Sequence, residues 1–255
     1  MSAASRAARC CLYLSVFLPM AGAAAHADDF PPDLVVFCEP TLRPVLVEIG
    51  GLWQSRTGTP VRVIAAPTLL LIEQLSHHIR SDLIVAQGDP AQATERQLIK
   101  PETRFDAWRN RLVVAQKVGQ PANSWPAALR EGTGRIALVD VALAAEGSAT
   151  QKALEAAGLQ DATAGRTIGT ADTEEAAFLL ATGAARFAVI EATDLAADPT
   201  LASAGMPDAE TYLPIRYWIA QTSAAVSPDT AKFEAFLRDK PAQEIARRNG
   251  LEVLP

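Results

Sequence analysis

The stretch DLVVFCEPTLRPVL, residues 33–46, joins an apolar run of strand length to a segment with helical periodicity. The apolar run stops at Glu39-Pro40, and Thr41 follows directly. Beyond it, apolar residues recur at helical spacing, at Leu42, Val45, Leu46, Ile49 and Leu52. The pattern predicts a strand, a tight turn and a helix that begins at Thr41.

The same arrangement occurs a second time at residues 61–69, VRVIAAPTL, where Thr68 takes the place of Thr41. In an open α/β sheet such turns lie at the carboxyl ends of the strands, where ligands bind, and each helix start offers unpaired N–H groups. A single threonine there is explained equally well as a helix cap. Because the arrangement recurs, we interpret both turns as binding loops.

Alternation of strands and helices continues along the chain. A third strand is predicted at residues 81–86, before a helix start at Asp89-Pro90. Further strands are predicted at residues 108–115, 135–139, 187–190 and 211–220, and further helices at 146–157, 172–182, 228–237 and 241–248. This order predicts an α/β fold with mostly parallel sheets and right-handed crossovers.

The N-terminal residues have the form of a secretion signal. Arg6 and Arg9 precede an apolar segment that ends in Ala25-His26-Ala27. The apolar segment is shorter than the ~20 residues that a membrane-spanning helix needs. We therefore expect residues 1–27 to be a cleaved signal peptide and the mature protein to be soluble and exported. Cleavage leaves Cys38 as the only thiol, so no intramolecular disulfide is expected.

Composition and motifs exclude several classes of function. The chain has 255 residues, 49% of them hydrophobic, and a formal net charge of −6, so it lacks the basic footprint of a nucleic-acid-binding protein. It contains no Gly-x-Ser-x-Gly elbow, His-Glu-x-x-His pair or phosphate-binding loop. We expect neither an enzyme nor a cofactor.

Several segments, taken in order and spacing, resemble the periplasmic molybdate-binding proteins, which are type II solute receptors of ABC importers. The segments are residues 35–37, 68–75, 81–85, 109–114, 134–138, 152–154 and 236–251. The resemblance implies a two-lobe fold with two crossover segments, in which residues 28–107 and 213–255 form one lobe and residues 108–212 the other. It also implies a monomeric periplasmic receptor that binds an oxyanion such as molybdate or tungstate and delivers it to the importer's membrane subunits.

By position, the resemblance implies four ligand-binding residues. Thr41 stands where the family has a ligating serine, and Thr68 lies in the second serine-rich turn. Glu146 and Thr173 match positions that donate backbone N–H groups. The chain departs from the family pattern at Glu191, which occupies the place of a tyrosine, and at Glu39, which replaces a small residue beside the first serine.

These two acids leave three alternatives open. Either carboxyl can be protonated in a dry cleft and donate a hydrogen bond. Either can point away from the cleft. Alternatively, the ligand is a metal cation or an amine held by Glu39 and Glu191, with Cys38 as a further metal ligand. A periplasmic binding module that serves a process other than import is also open.

Overall fold

Two β-sheets flanked by helices make up the part of the chain that the computed structural model describes, residues 33–121 and 124–255. The signal-peptide prediction, residues 1–27, lies outside the described residues. The strands are β1 (Leu34–Cys38), β2 (Val61–Ala65), β3 (Leu83–Gln87), β4 (Phe105–Asn110), β5 (Leu112–Lys117), β6 (Ile136–Val139), β7 (Thr167–Thr170), β8 (Phe187–Glu191), β9 (Leu201–Gly205), β10 (Ile215–Gln221) and β11 (Glu252–Val253).

The helices complete the chain order, and short 3₁₀ turns lie between some of them. They are α1 (Arg43–Thr57), α2 (Thr68–Ser76), α3 (Ala91–Glu95), α4 (Trp125–Glu131), α5 (Ala145–Ala156), α6 (Gln160–Thr163), α7 (Thr173–Thr182), α8 (Ala192–Ala197), α9 (Thr230–Arg238) and α10 (Lys240–Arg248). None of the helices within residues 33–121 and 124–255 combines the length and apolar character needed to cross a membrane.

Each sheet organises one lobe. In the first lobe the strand order is β11-β4-β10-β3-β1-β2, and in the second lobe it is β7-β6-β8-β5-β9. Parallel pairing joins β1 to β2 and β3, and β6 to β7 and β8, while the remaining pairs are antiparallel. The α/β class predicted from the sequence is confirmed, and both sheets are mixed.

The chain changes lobe at Arg111. Residues 108–115 were predicted as one strand, and this prediction is wrong, because β4 ends at Asn110 in the first sheet and β5 begins at Leu112 in the second. The change of sheet falls in the polar run Arg109-Asn110-Arg111, which separates Trp108 from the apolar residues 112–115. The chain returns to the first sheet between β9 and β10, and the Tyr212 hydroxyl on this return segment accepts a hydrogen bond from the Leu112 amide (3.1 Å).

Strand β1 shows why the first lobe has helices on both faces. All five of its residues are buried, as expected for a strand between two neighbours. Leu34, Val36 and Cys38 face the core on the side of α1, α9 and α10, whereas Val35 and Phe37 face α2. Because β1 and β2 are parallel neighbours, with Cys38 opposite Ala65, the turns that follow them lie side by side.

Asp82 fixes the base of this sheet. Its fully buried carboxylate accepts the amides of Val35 (2.8 Å), Val226 (2.8 Å) and Ser227 (2.9 Å). Arg80 also donates to it at 3.2 Å. The side chain thus joins β1, β3 and the loop after β10 by accepting amides from segments that are distant in the sequence.

We predict that Asp82→Ala lowers the free energy of unfolding by at least about 3 kcal/mol, because it leaves several buried amides without acceptors. Urea unfolding followed by circular dichroism measures this change. The matched control is Asp161→Ala on the exposed surface of α6, which should change the stability by less than about 0.5 kcal/mol. Equal effects of the two substitutions would contradict the structural role of Asp82.

Candidate functional site

The two turns picked out by the sequence meet at the carboxyl end of the first sheet. Glu39 follows β1, and Thr68 is the first residue of α2 after β2. Glu39 Oε1 accepts a hydrogen bond from the Thr68 backbone amide (2.7 Å) and another from the Thr68 hydroxyl. A carboxylate of the protein itself therefore occupies the N-terminus of α2, where an external anion would otherwise bind.

Thr68 has no donor left for a ligand. Its amide and its hydroxyl hydrogen both go to Glu39, and its hydroxyl oxygen accepts the Gln87 amide at 3.0 Å. Hence Thr68 lies at the cleft, but its hydrogen bonds are made within the protein.

Thr41 also makes its contacts internally. It lies in the 3₁₀ turn Pro40–Leu42 and gives no capping hydrogen bond to α1, which begins two residues after it at Arg43. Its buried hydroxyl contacts the Thr193 hydroxyl of the second lobe, and Asn110 Nδ2 donates to Thr193 at 2.8 Å. Thr41 therefore joins the two lobes.

Glu191 is fully buried behind the cleft at the end of β8. The Tyr217 hydroxyl, from β10 of the other lobe, lies 2.7 Å from each of its carboxyl oxygens. Burial, with Glu146 and Asp194 nearby, raises the pKa of Glu191 well above its usual range. The hydrogen bond between this carboxyl and Tyr217 joins the two lobes.

Asp194 extends this group of acids, and the sequence analysis missed it. Its carboxylate accepts the Glu191 amide at 3.1 Å. Burial raises the pKa of Asp194 from 3.8 to about 6, although hydrogen bonds from Thr173 and Thr41 lower it. Thr173, predicted to donate its backbone amide to a ligand, is thus buried at the start of α7 beside an internal acid. Glu191 and Asp194 have the i, i+3 spacing of a capping box, a signal that was available in the sequence.

A cavity of about 350 Å³ lies between the lobes, above these acids. Glu39, Thr68 and Gln87 line it from the first lobe, and Glu146 and Asp172 from the second. Glu191 and Thr41 are not among its lining residues, so the structure brings together only part of the predicted set. Among the described residues that line the cavity there is no Lys, Arg or His, whereas four are acidic: Glu39, Asp89, Glu146 and Asp172.

Glu146 is the least satisfied acid in this cavity. Only 4% of the residue is exposed, yet its Oε2 has no hydrogen-bond partner among the described residues. Burial, with Asp194 and Asp172 nearby, raises the pKa of Glu146, and a hydrogen bond from Gln87 partly offsets this rise. Burial likewise raises the pKa of Glu39 from 4.5 to about 7, because desolvation outweighs the hydrogen bonds from Thr68. The ionised forms of these two carboxyls are thus disfavoured in the cavity unless a proton or a cation neutralises them.

The metal alternative built on Glu39, Glu191 and Cys38 does not fit the structure. Cys38 is fully buried in the apolar core under α1, and burial raises the pKa of its thiol. Cys38 is the last residue of β1, and the alternation of side chains along this strand places its thiol in the core. Glu39 is the next residue and lies in the turn. Within residues 33–121 and 124–255, no three His, Cys, Asp or Glu side chains are grouped so as to hold a metal ion.

Comparison with known proteins agrees with this architecture. The periplasmic molybdate-binding protein of Azotobacter vinelandii has 21% identity and a TM-score of 0.76, with 88% of this chain and 100% of that chain covered. The substrate-binding domain of a putative molybdenum ABC transporter from Clostridium difficile has 19% identity and a TM-score of 0.72, with 88% and 99% covered. Peb3 of Campylobacter jejuni, bound to L-phospholactate, has 16% identity and a TM-score of 0.70, with 86% and 99% covered.

At these identities the solved structures establish the shared two-lobe fold of periplasmic binding proteins. None of the curated proteins matches the chain significantly. A family model described as "Bacterial extracellular solute-binding protein" matches residues 34–252, almost the whole described part of the chain. The chain belongs to the family of bacterial extracellular solute-binding proteins.

Proposed function

We propose that the protein is a periplasmic receptor of a bacterial ABC importer and that it binds a small cationic solute between its lobes. Its family membership, its two-lobe fold and the predicted signal peptide support the receptor role. The observation that carries the ligand class is the cavity, in which acidic side chains from both lobes converge without a cationic partner among the described lining residues.

An oxyanion is opposed first by the hydrogen bonds of the cleft. A molybdate receptor of this fold needs free hydroxyl and amide donors at its helix starts. Here Glu39 accepts both donors of Thr68, and Thr41 contacts Thr193. An incoming oxyanion would have to displace the Glu39 carboxylate from the start of α2 before it found donors of its own.

Charge opposes an oxyanion further. Two unit charges about 4 Å apart interact by about 4 kcal/mol at an effective dielectric constant of ~20, so a dianion beside one ionised glutamate is repelled by about 8 kcal/mol before relaxation. A charge-assisted hydrogen bond returns about 1.5 to 3 kcal/mol. For a cation the same charge term is favourable, and Glu146, which lines the cavity, has a carboxyl oxygen, Oε2, without a hydrogen-bond partner among the described residues.

The second candidate is an oxyanion receptor, for molybdate or tungstate. Its support is the fold similarity to the Azotobacter vinelandii molybdate-binding protein. It requires Glu39 and Glu146 to be protonated, a state that their raised pKa values favour at low pH. The two candidates therefore have opposite pH dependences: cation binding strengthens as the pH rises, and oxyanion binding weakens.

We predict that cations, and not molybdate or tungstate, raise the melting temperature of the mature protein at neutral pH. The measurement is a thermal-shift panel of alkali and alkaline-earth ions, ammonium compounds and the two oxyanions. A ligand at about 100 times its Kd stabilises the folded protein by about 2.7 kcal/mol, which is readily measured. Glu146→Gln should reduce the shift to about half or less, and the exposed Glu102→Gln should leave it unchanged. A shift with the oxyanions alone would exclude the cationic ligand.

We also predict that the unliganded protein loses stability as the pH rises from about 5 to about 8. The folded state holds the Glu39 proton more tightly than the unfolded chain does, so this stabilisation is complete below the unfolded value of 4.5 and is lost as the pH passes about 7. The shift corresponds to about 3 kcal/mol.

Urea unfolding at a series of pH values measures this loss of stability. Glu39→Gln keeps an oxygen that accepts the Thr68 hydrogen bonds and removes the titration of Glu39, so it should reduce the slope of stability against pH. Glu102→Gln, on the exposed surface, should reproduce the parent curve. If the free energy of unfolding of Glu39→Gln changed with pH as steeply as that of the parent protein, Glu39 would not be a group that takes up a proton on folding.

A further inference from the structure

The cavity has apolar walls as well as acidic groups. Leu69 projects from α2 of the first lobe, and Val141 and Leu143 project from the loop between β6 and α5 of the second. These side chains are unusually exposed for their type, at 65%, 51% and 57% respectively. All three line the same cavity, so apolar surface from both lobes borders the space that the acids reach.

The acidic residues that line the cavity differ in whether their carboxyl oxygens have hydrogen-bond partners. The rim residues Asp89 and Asp172 already accept backbone amides, from Ala91 at 2.8 Å and from Glu175 at 2.8 Å. Glu39 accepts from Thr68. Of the acids that line the cavity, only Glu146 has a buried carboxyl oxygen, Oε2, without a partner among the described residues, so its carboxyl lacks a donor that a ligand can supply.

A bare metal ion matches these features poorly. A hard cation requires about six oxygen ligands in close array, and no such group of acidic side chains occurs in the described residues. An alkylammonium ion needs few acceptors and brings an apolar body of its own. The cavity volume of about 350 Å³ also suits a small organic molecule better than a single ion.

We propose that the cleft binds an organic ammonium ion, with its N–H groups on the Glu146 carboxylate and its alkyl part between Leu69 of one lobe and Val141 and Leu143 of the other. This assignment rests on the proposed receptor function and specifies its ligand class. The alkyl part supplies the apolar contact that draws the two walls together, so closure and recognition use the same surface.

The test is calorimetric titration of the full mature protein with primary n-alkylammonium ions from methyl to pentyl. Affinity should rise about fourfold for each added methylene until the cavity is filled. Leu69→Ser, at an exposed position that the fold tolerates, should remove most of this dependence on chain length. The matched control is Leu213→Ser, at an 84% exposed position that does not line the cavity, and it should retain the dependence.

Glu146→Gln should weaken binding of every ammonium ion by about 10- to 100-fold, since it removes a charge-assisted hydrogen bond. Equal affinity along the alkyl series, or binding of inorganic cations alone, would overturn the organic ligand and leave a cation receptor in place. Binding of molybdate or tungstate alone would overturn both proposals. Failure of every ammonium ion to bind at millimolar concentration would also overturn the organic ligand.

Discussion

The contact between the Glu39 carboxylate and the start of α2 is the interaction on which the character of this cleft depends. A helix N-terminus beside the carboxyl end of a sheet attracts anions, because its first amides are unpaired and the helix dipole is positive there. In this chain the anion is supplied from the adjacent turn, and it uses both the amide and the hydroxyl of Thr68. This chain shares its fold with a molybdate-binding protein, but at this helix start its cleft presents a carboxyl acceptor in place of free donors.

Deeper between the lobes, an acidic side chain of the protein again accepts the hydrogen-bond donors at the start of a helix. Asp194 accepts the amide at the start of α8 and interacts with Thr173 at the start of α7. Glu191 pairs with Tyr217 across the two sheets. The bond between Glu191 and Tyr217 and the contact between Thr41 and Thr193 join the two lobes. Glu146 is another acid at a helix start, and its Oε2 has no hydrogen-bond partner among the described residues, which is the basis of the proposed cationic ligand.

Much of the fold could be predicted, because it depends on local signals. The apolar run before Glu39-Pro40 and its repeat before Pro67-Thr68 predicted two adjacent parallel strands and their turns, which the structure contains. Strand β9 was not predicted, since its sequence LASAG has little apolar signal. The site was harder to predict. The turn pattern singled out Thr68, and the resemblance singled out Glu39 and Glu146, but the partners Tyr217 and Thr193 come from distant segments that only the folded chain brings together.

The most direct test of the account is a crystal structure of the mature protein soaked with molybdate near neutral pH, with the anomalous signal of molybdenum used to locate the anion. The account predicts no molybdenum between the lobes and a Glu39 carboxylate still bonded to the Thr68 amide. A tetrahedral anion seated on that amide, with Glu39 rotated out of the cleft, would contradict it.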